Sequence, residues 1–274
     1  MYVCLNRGTT GGALSQEAFA KLAANAGFQG CDVDLSYGRE HGAAALGDLF
    51  ASLNLRFGGW GPGLTHRTPA NHLAEAAASL AAEAAIAKEL RIDSCATWIM
   101  PSSDLPFMEN WKLHVEGLRP AAKILADHGL RFGLEFVAPY HLRRQHAHEF
   151  IFTPSLMLEL ANEIGPNVGL LVDSFHCHCS QTPWRQIAEL KRDQIVLAHL
   201  NDAPRLPVDQ LQDGQRLLPG DGMLDLAAFV TALANAKYDG PVSLEAFGCV
   251  KDLPPADAAR KAWKACAQLT NLLS

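Results

Sequence analysis

Four ionisable side chains close four short apolar runs: Phe132-Gly-Leu-Glu135, Leu170-Leu-Val-Asp173, Val196-Leu-Ala-His199 and Val242-Ser-Leu-Glu245. Three carboxylates and one imidazole form a hard-to-borderline donor set. Such a set suits one divalent ion: Mn²⁺, Mg²⁺, Zn²⁺ or Co²⁺. Without a cation, converging carboxylates would repel one another and their pKa values would rise. Taken singly, each residue is better read as a strand cap or as the partner of a nearby Arg or Lys. Four of them at equivalent positions favour a shared site, with Glu135, Asp173, His199 and Glu245 as metal ligands.

Further candidates follow these runs. His176 lies three residues after Asp173, in Asp173-Ser-Phe-His176-Cys-His178, where a loop would face substrate. Cys177 and Cys179 are read as loop packing, because Cys-x-Cys without a second cysteine pair is a weak metal motif. After His199 come Asn201, Asp202 and Arg205, then Asp213-Gly-Gln-Arg216 and Pro219-Gly-Asp-Gly222. This stretch is polar and Gly-rich, as a substrate-contacting loop should be, although a solvated loop without a role has the same composition.

The elements that must position these residues alternate from end to end. Apolar runs at Tyr2–Asn6, Gly30–Leu35, Leu55–Trp60, Ser94–Met100, Arg131–Val137, Val168–Asp173, Ile195–Leu200 and Pro241–Ala246 predict eight strands. Helices are expected around Gln16–Ala26, from Thr68 as N-cap with Pro69 at the first position, over Glu109–His128 closed by Gly129, and from Thr153-Pro154 to Gly165-Pro166. Two more are expected around Asp225–Ala236 and after Pro254-Pro255. Leu73, Ala77, Leu80, Ala84 and Ala87 form one expected apolar stripe, and Trp263, Cys266 and Leu273 another.

Continuous apolar strands such as Val168–Val172 fit a parallel sheet buried on both faces. The count of eight points to a (β/α)8 TIM barrel, which needs about 250 residues. The 274 residues are therefore read as a single domain, 1–274. An open doubly wound sheet uses the same local pattern, but no Gly-x-Gly-x-x-Gly follows the first strand. In a barrel, the strand ends carrying Glu135, Asp173, His199 and Glu245 form the active-site face.

Composition sets outer limits. The formal charge of −6 argues against general nucleic-acid binding. Neither a signal peptide nor a membrane-spanning run is visible. Seven scattered cysteines suit a reducing compartment, so a cytoplasmic location is expected. Assembly into a homo-oligomer is compatible with all of this.

The chain resembles the xylose-isomerase-like family of sugar and sugar-phosphate isomerases and epimerases, and within it the inosose-isomerase-like members. The likeness rests on Leu134-Glu-Phe-Val137, Asn167-Val-Gly-Leu-Leu-Val-Asp-Ser-Phe-His176, Arg216-Leu-Leu-Pro-Gly-Asp-Gly222 with Asp225, and Val242-Ser-Leu-Glu-Ala-Phe247. Leu5-Asn6 followed by Thr9-Thr10 is similar too. The resemblance implies a TIM barrel, a metal on the residues matching Glu135, Asp173, His199 and Glu245, and a substrate contact at His176. It also implies an arginine for substrate oxygens. Arg205 fits the spacing of related ketose epimerases, and Arg216, ranked first, fits the inosose-isomerase-like pattern. Two positions depart. His141 stands where the family often has a glutamate, and Gly248-Cys-Val-Lys251 replaces an Arg-Pro-Glu-Tyr-type turn. Arg216, Arg205, His176 and His141 are thus the expected substrate-binding residues.

The expected activity is isomerisation or epimerisation of a keto-inositol or ketose, by proton transfer through a metal-stabilised enediolate. Glu135 and Glu245 are the expected proton-transfer groups. A dehydroshikimate-dehydratase-like lyase shares that proton abstraction and is the alternative. An abasic-site endonuclease ranks lower, because Asp213-Gly-Gln215 stands where that family has Asp-x-His. A binding protein without turnover is the remaining alternative.

Overall fold

The computed structural model describes residues 1–10, 14–250 and 252–273. Lys251 and the side chain of Leu273 fall outside the described residues. Apart from a small antiparallel pair, Ser102–Ser103 with His148–Glu149, the strands form one eight-stranded sheet: β1 (Tyr2–Leu5), β2 (Gly30–Cys31), β3 (Arg56–Phe57), β4 (Cys95–Ile99), β5 (Phe132–Phe136), β6 (Val168–Asp173), β7 (Ile195–Leu200) and β8 (Pro241–Leu244). All neighbours are parallel, in the order β3-β2-β1-β8-β7-β6-β5-β4. Trp60 closes the ring. Its N–H donates to Ser94 O at 3.2 Å, and its C=O accepts from Ala96 N at 2.9 Å. The expected (β/α)8 barrel is therefore the observed fold.

Two strands keep only two residues of their six-residue apolar runs. The run Gly30–Leu35 keeps only two sheet residues, because Asp34 caps a new helix, Leu35–His41, by accepting from Ser36 N at 3.0 Å. The run Leu55–Trp60 keeps Arg56–Phe57 and the Trp60 bridge. Thr68 is not an N-cap. Its hydroxyl accepts from Thr65 N, and a 3₁₀ turn at Ala70–His72 precedes the helix Leu73–Leu90. Leu73 is consequently 44% exposed, and the buried stripe begins at Leu80. The helices Gln16–Ala26, Phe107–Asp127, Pro154–Ile164, Leu226–Asn235 and Pro255–Cys266 lie close to their expected positions.

Side chains alternate across each strand, so the barrel wall separates two apolar regions. Leu134, Leu170, Val172, Ala198, Leu200, Val242 and Leu244 face outward into the main core beneath the helices. Ala96, Leu171 and Leu197 form a small cluster inside the barrel. Glu135, Asp173, His199 and Glu245 sit one even step from inward-facing positions, so they point in as well. The pairing of β6 with β7 slips by one residue: Leu170 pairs with Ile195, but Leu171 pairs with Leu197. Val196 is the extra residue. The slip sets Asp173 level with His199 rather than with Ala198.

The helix Gln16–Ala26 ends at Gly27 with φ 108°, and a Cβ there would lie 2.6 Å from Trp263 Nε1. Trp263 in turn packs on Phe28 with ring centroids 5.3 Å apart, tying the helix Pro255–Cys266 to the end of Gln16–Ala26. Gly27→Ala should therefore lower unfolding stability by about 1–3 kcal/mol. Urea denaturation checks this, and an unchanged midpoint would contradict it.

Candidate metal centre

Parity and register bring four side chains to the C-terminal mouth of the barrel. One ligand atom each from Glu135, Asp173, His199 and Glu245 lies within 4.8 Å of all the others. The imidazole is central. His199 Nδ1 stands 3.1 Å from Glu245 Oε2, 3.6 Å from Glu135 Oε1 and 4.0 Å from Asp173 Oδ2. Among the described residues, no second group of this kind occurs.

Other side chains hold these four in place. Asp173 caps the short helix Ser174–Cys179, with Oδ1 accepting from His176 N at 2.9 Å. Its Oδ2 accepts from Asn201 Nδ2 at 2.8 Å and from Arg216 Nη1 at 3.1 Å. Asn201 Nδ2 also reaches Glu245 O at 3.1 Å, and Asn201 Oδ1 accepts from Ser174 Oγ at 2.8 Å. Asn201 thus links the ends of β6 and β8. The Asp202 carboxylate accepts from four backbone N–H groups, on Ala203, Gly220, Gly222 and Leu224. A Cβ at Gly222 would collide with Ala203 O and Asp202 Oδ1, so glycine is required there. The polar loop is therefore anchored to the strand end that carries His199.

Electrostatics differentiate the carboxyls. Burial pushes Glu135 above the ordinary range, and the Glu245 charge adds to the rise. Burial acts likewise on Glu245, but His199 and Arg216 outweigh it and hold that carboxyl low. For His199, burial works downward, yet Glu245 and Glu135 hold the imidazole well above its usual value. Glu135 Oε1 is sealed from solvent and has no hydrogen-bond partner. With His199 and His176 no nearer than 3.6 and 3.8 Å, this buried oxygen keeps acceptor capacity that is costly to leave unused. A divalent cation held by Glu135, Asp173, His199 and Glu245 would use it, and this donor set fits one.

The remaining sequence candidates divide. His176 and Arg216 are fully buried beside the cluster. Arg216 Nη1 donates to Glu245 Oε2 at 2.7 Å, and Nη2 lies 3.0 Å from His176 Nε2 and 2.7 Å from Asp213 Oδ1. Neither lines the cavity at the mouth. His141 bonds through Nδ1 to Leu211 O at 3.3 Å, away from the cluster. Arg205 is exposed. Cys177 and Cys179 are buried, unpaired and shifted upward by burial, as packing residues should be.

A cavity of about 210 Å³ opens over Glu135, His199 and Glu245. Its opposite wall comes from the first half of the chain: Asn6, Arg7, Asp32, Trp60, Thr97 and Trp98. The sequence reading missed this wall. Asn6 and Asp32 each stand one residue past their strand, as Glu245 does, so the rule applied to the last four strands would have found them. Burial lifts Asp32 to about 6. His199, the Arg7 N–H and the Ser243 hydroxyl act against the rise, and Glu245 adds to it.

Fold and site together define a parallel eight-stranded α/β barrel with an acidic, metal-competent cluster at its C-terminal mouth. The pattern of the xylose isomerase-like TIM barrel matches residues 20–269, and the chain belongs to that family. The inosose isomerase of Bacillus subtilis is 30% identical over 137 residues, 50% of this chain and 47% of that protein. A 3-dehydroshikimate dehydratase of Pseudomonas aeruginosa is 34% identical over 137 residues, 49% of this chain and 20% of that one. The matched segments thus span half or less of these curated relatives. A xylose isomerase domain protein from Alicyclobacillus acidocaldarius superposes with a TM-score of 0.88, at 28% identity, over 99% of both chains. The IolI protein, solved with a bound zinc atom, superposes with a TM-score of 0.75, at 22% identity, over 100% of this chain and 98% of that one.

Two outcomes are expected. Metal binding must displace the proton that Glu245 and Glu135 hold on His199, so zinc affinity should rise with pH, roughly tenfold per unit below the His199 pKa. Calorimetry in buffers of different ionisation enthalpy measures this, and a flat profile between about pH 6 and 8 would contradict it. Asn201→Ala frees Asp173 and the end of β8 and should weaken zinc binding by about 10–100-fold. Titration against a competing chelator reads that loss.

Proposed function

We propose that the chain is a divalent-metal-dependent isomerase or epimerase of a keto-inositol or ketose-type sugar. The observation that carries this reading is the convergence of Glu135, Asp173, His199 and Glu245 on one point beside a small cavity. Membership of the family and the likeness to an inosose isomerase support it. When bound, the metal would supply Lewis acidity that draws charge from a substrate carbonyl oxygen. Glu135, raised by burial, takes a proton from the carbon beside the carbonyl. Glu135 itself or Glu245, which also lines the cavity, returns it. Arg216 and His176 position Glu245 and Asp173 from behind. The low total volume restricts the substrate to a small molecule such as a sugar or cyclitol.

A second reading, loss of water from a cyclic keto acid, draws support from the dehydroshikimate dehydratase relative. Both begin with the same proton abstraction. One experiment separates them: metal-loaded protein in D₂O with keto-inositols, ketoses and 3-dehydroshikimate. Deuterium incorporation with isomer formation is expected, whereas water loss from 3-dehydroshikimate alone would favour the second reading. Glu135→Gln should slow exchange by about 10²–10⁴-fold. A Gln variant with full turnover removes Glu135 from the role.

A further inference from the structure

The cavity has two walls with different chemistry. β5 to β8 supply the candidate metal ligands. The ends of β1 and β2 supply Asn6 and Asp32, with Trp60, Thr97 and Trp98 beyond them. Asp32 is held by one hydrogen bond on each oxygen: Arg7 N to Oδ2 and Ser243 Oγ to Oδ1, both at 3.2 Å. A carboxylate has about four acceptor positions, so further acceptor capacity remains. Asn6 is held through Oδ1 alone, which accepts from Gly8 N at 2.7 Å. Its Nδ2 is unpaired among the described residues. The wall thus offers one fixed donor and one fixed acceptor.

The two arginines nearest the cavity hold their terminal nitrogens on other groups. Arg7 lines the cavity, but its terminal nitrogens donate to Leu14 O at 3.0 Å and to Gln16 Oε1 at 2.6 Å, and its guanidinium stacks on Phe19. Arg216 is bound to Asp173, Glu245 and Asp213. No lysine or other arginine lines the cavity among the described residues. Three carboxylates do, and of these Glu135 and Glu245 belong to the candidate metal cluster while Asp32 stands outside it.

Resting on the isomerase reading of the same cavity, we infer that Asp32 and Asn6 determine specificity, by binding a hydroxyl of a neutral polyhydroxy ketone and disfavouring a carboxylated ring. A hydroxyl both donates and accepts, so it satisfies Asp32 and Asn6 Nδ2 at once. A carboxylate only accepts. Placed against Asp32, it would leave that carboxylate unmatched and set two like charges side by side. Trp60 and Trp98 add aromatic surface for the carbon frame of a ring.

The test measures binding separately from turnover, by calorimetry on the zinc-loaded chain with a keto-inositol and with 3-dehydroshikimate. Wild type should bind the keto-inositol at least about tenfold more tightly. Asp32→Asn should weaken the keto-inositol by about tenfold or more, leave 3-dehydroshikimate unweakened, and retain the zinc stoichiometry. Asn6→Asp keeps the bond to Gly8 but replaces the donor with an acceptor. It should weaken the keto-inositol in the same direction, and it serves if Asp32→Asn does not fold. A wild type that binds neither ligand or prefers 3-dehydroshikimate overturns the inference. So do variants that shift both ligands equally or neither. Deuterium exchange is scored independently: a wild type that binds the keto-inositol selectively but exchanges no proton sinks the isomerase reading and leaves the assignment of Asp32 standing.

Discussion

Three carboxylates buried against one imidazole are the constraint around which the barrel mouth is built. Such a group is unstable unless positive charge and hydrogen-bond donors surround it. The structure answers with Arg216 on Asp173 and Glu245, Asn201 on Asp173, and the His176 N–H on Asp173. One buried oxygen, Oε1 of Glu135, is left without a hydrogen bond. That oxygen, the central His199 Nδ1 and the mutual closeness of the ligand atoms are the features that make the cluster fit a cation.

The same constraint explains the loop after β7. Its Asp202 collects four backbone N–H groups and so anchors the turn around Gly220 and Gly222. The loop then returns Arg216 to the carboxylates. A segment that reads as merely polar and glycine-rich is thereby a rigid support. Arg216, buried among acidic groups, neutralises charge where the ligands leave it.

The barrel also divides labour between its halves. The later strands carry the acidic cluster, and the earlier strands carry a wall of mixed donors, acceptors and aromatic surface. Because both walls are strand ends of one closed sheet, their separation is set by barrel geometry rather than by loop conformation. In the function proposed above, proton transfer is assigned to the first wall and substrate preference to the second.

Much was written in the residues themselves. Eight apolar runs, the helix-closing Gly129, and one ionisable residue at the end of each late run determined the architecture and named the cluster, because burial pattern and strand ends are local properties. The lengths of β2 and β3 were not legible, since Asp34 began a helix inside an apolar run. The exposure of Leu73 depended on a 3₁₀ turn that Thr68 did not cap. The position of Arg216 behind the ligands, the distance of Arg205 and His141 from them, and the presence of Asp32 on the cavity were decided by tertiary structure. So was the one-residue slip at Val196, which sets Asp173 beside His199. Register and loop path depend on contacts between residues far apart in the chain, and no local spacing encodes them.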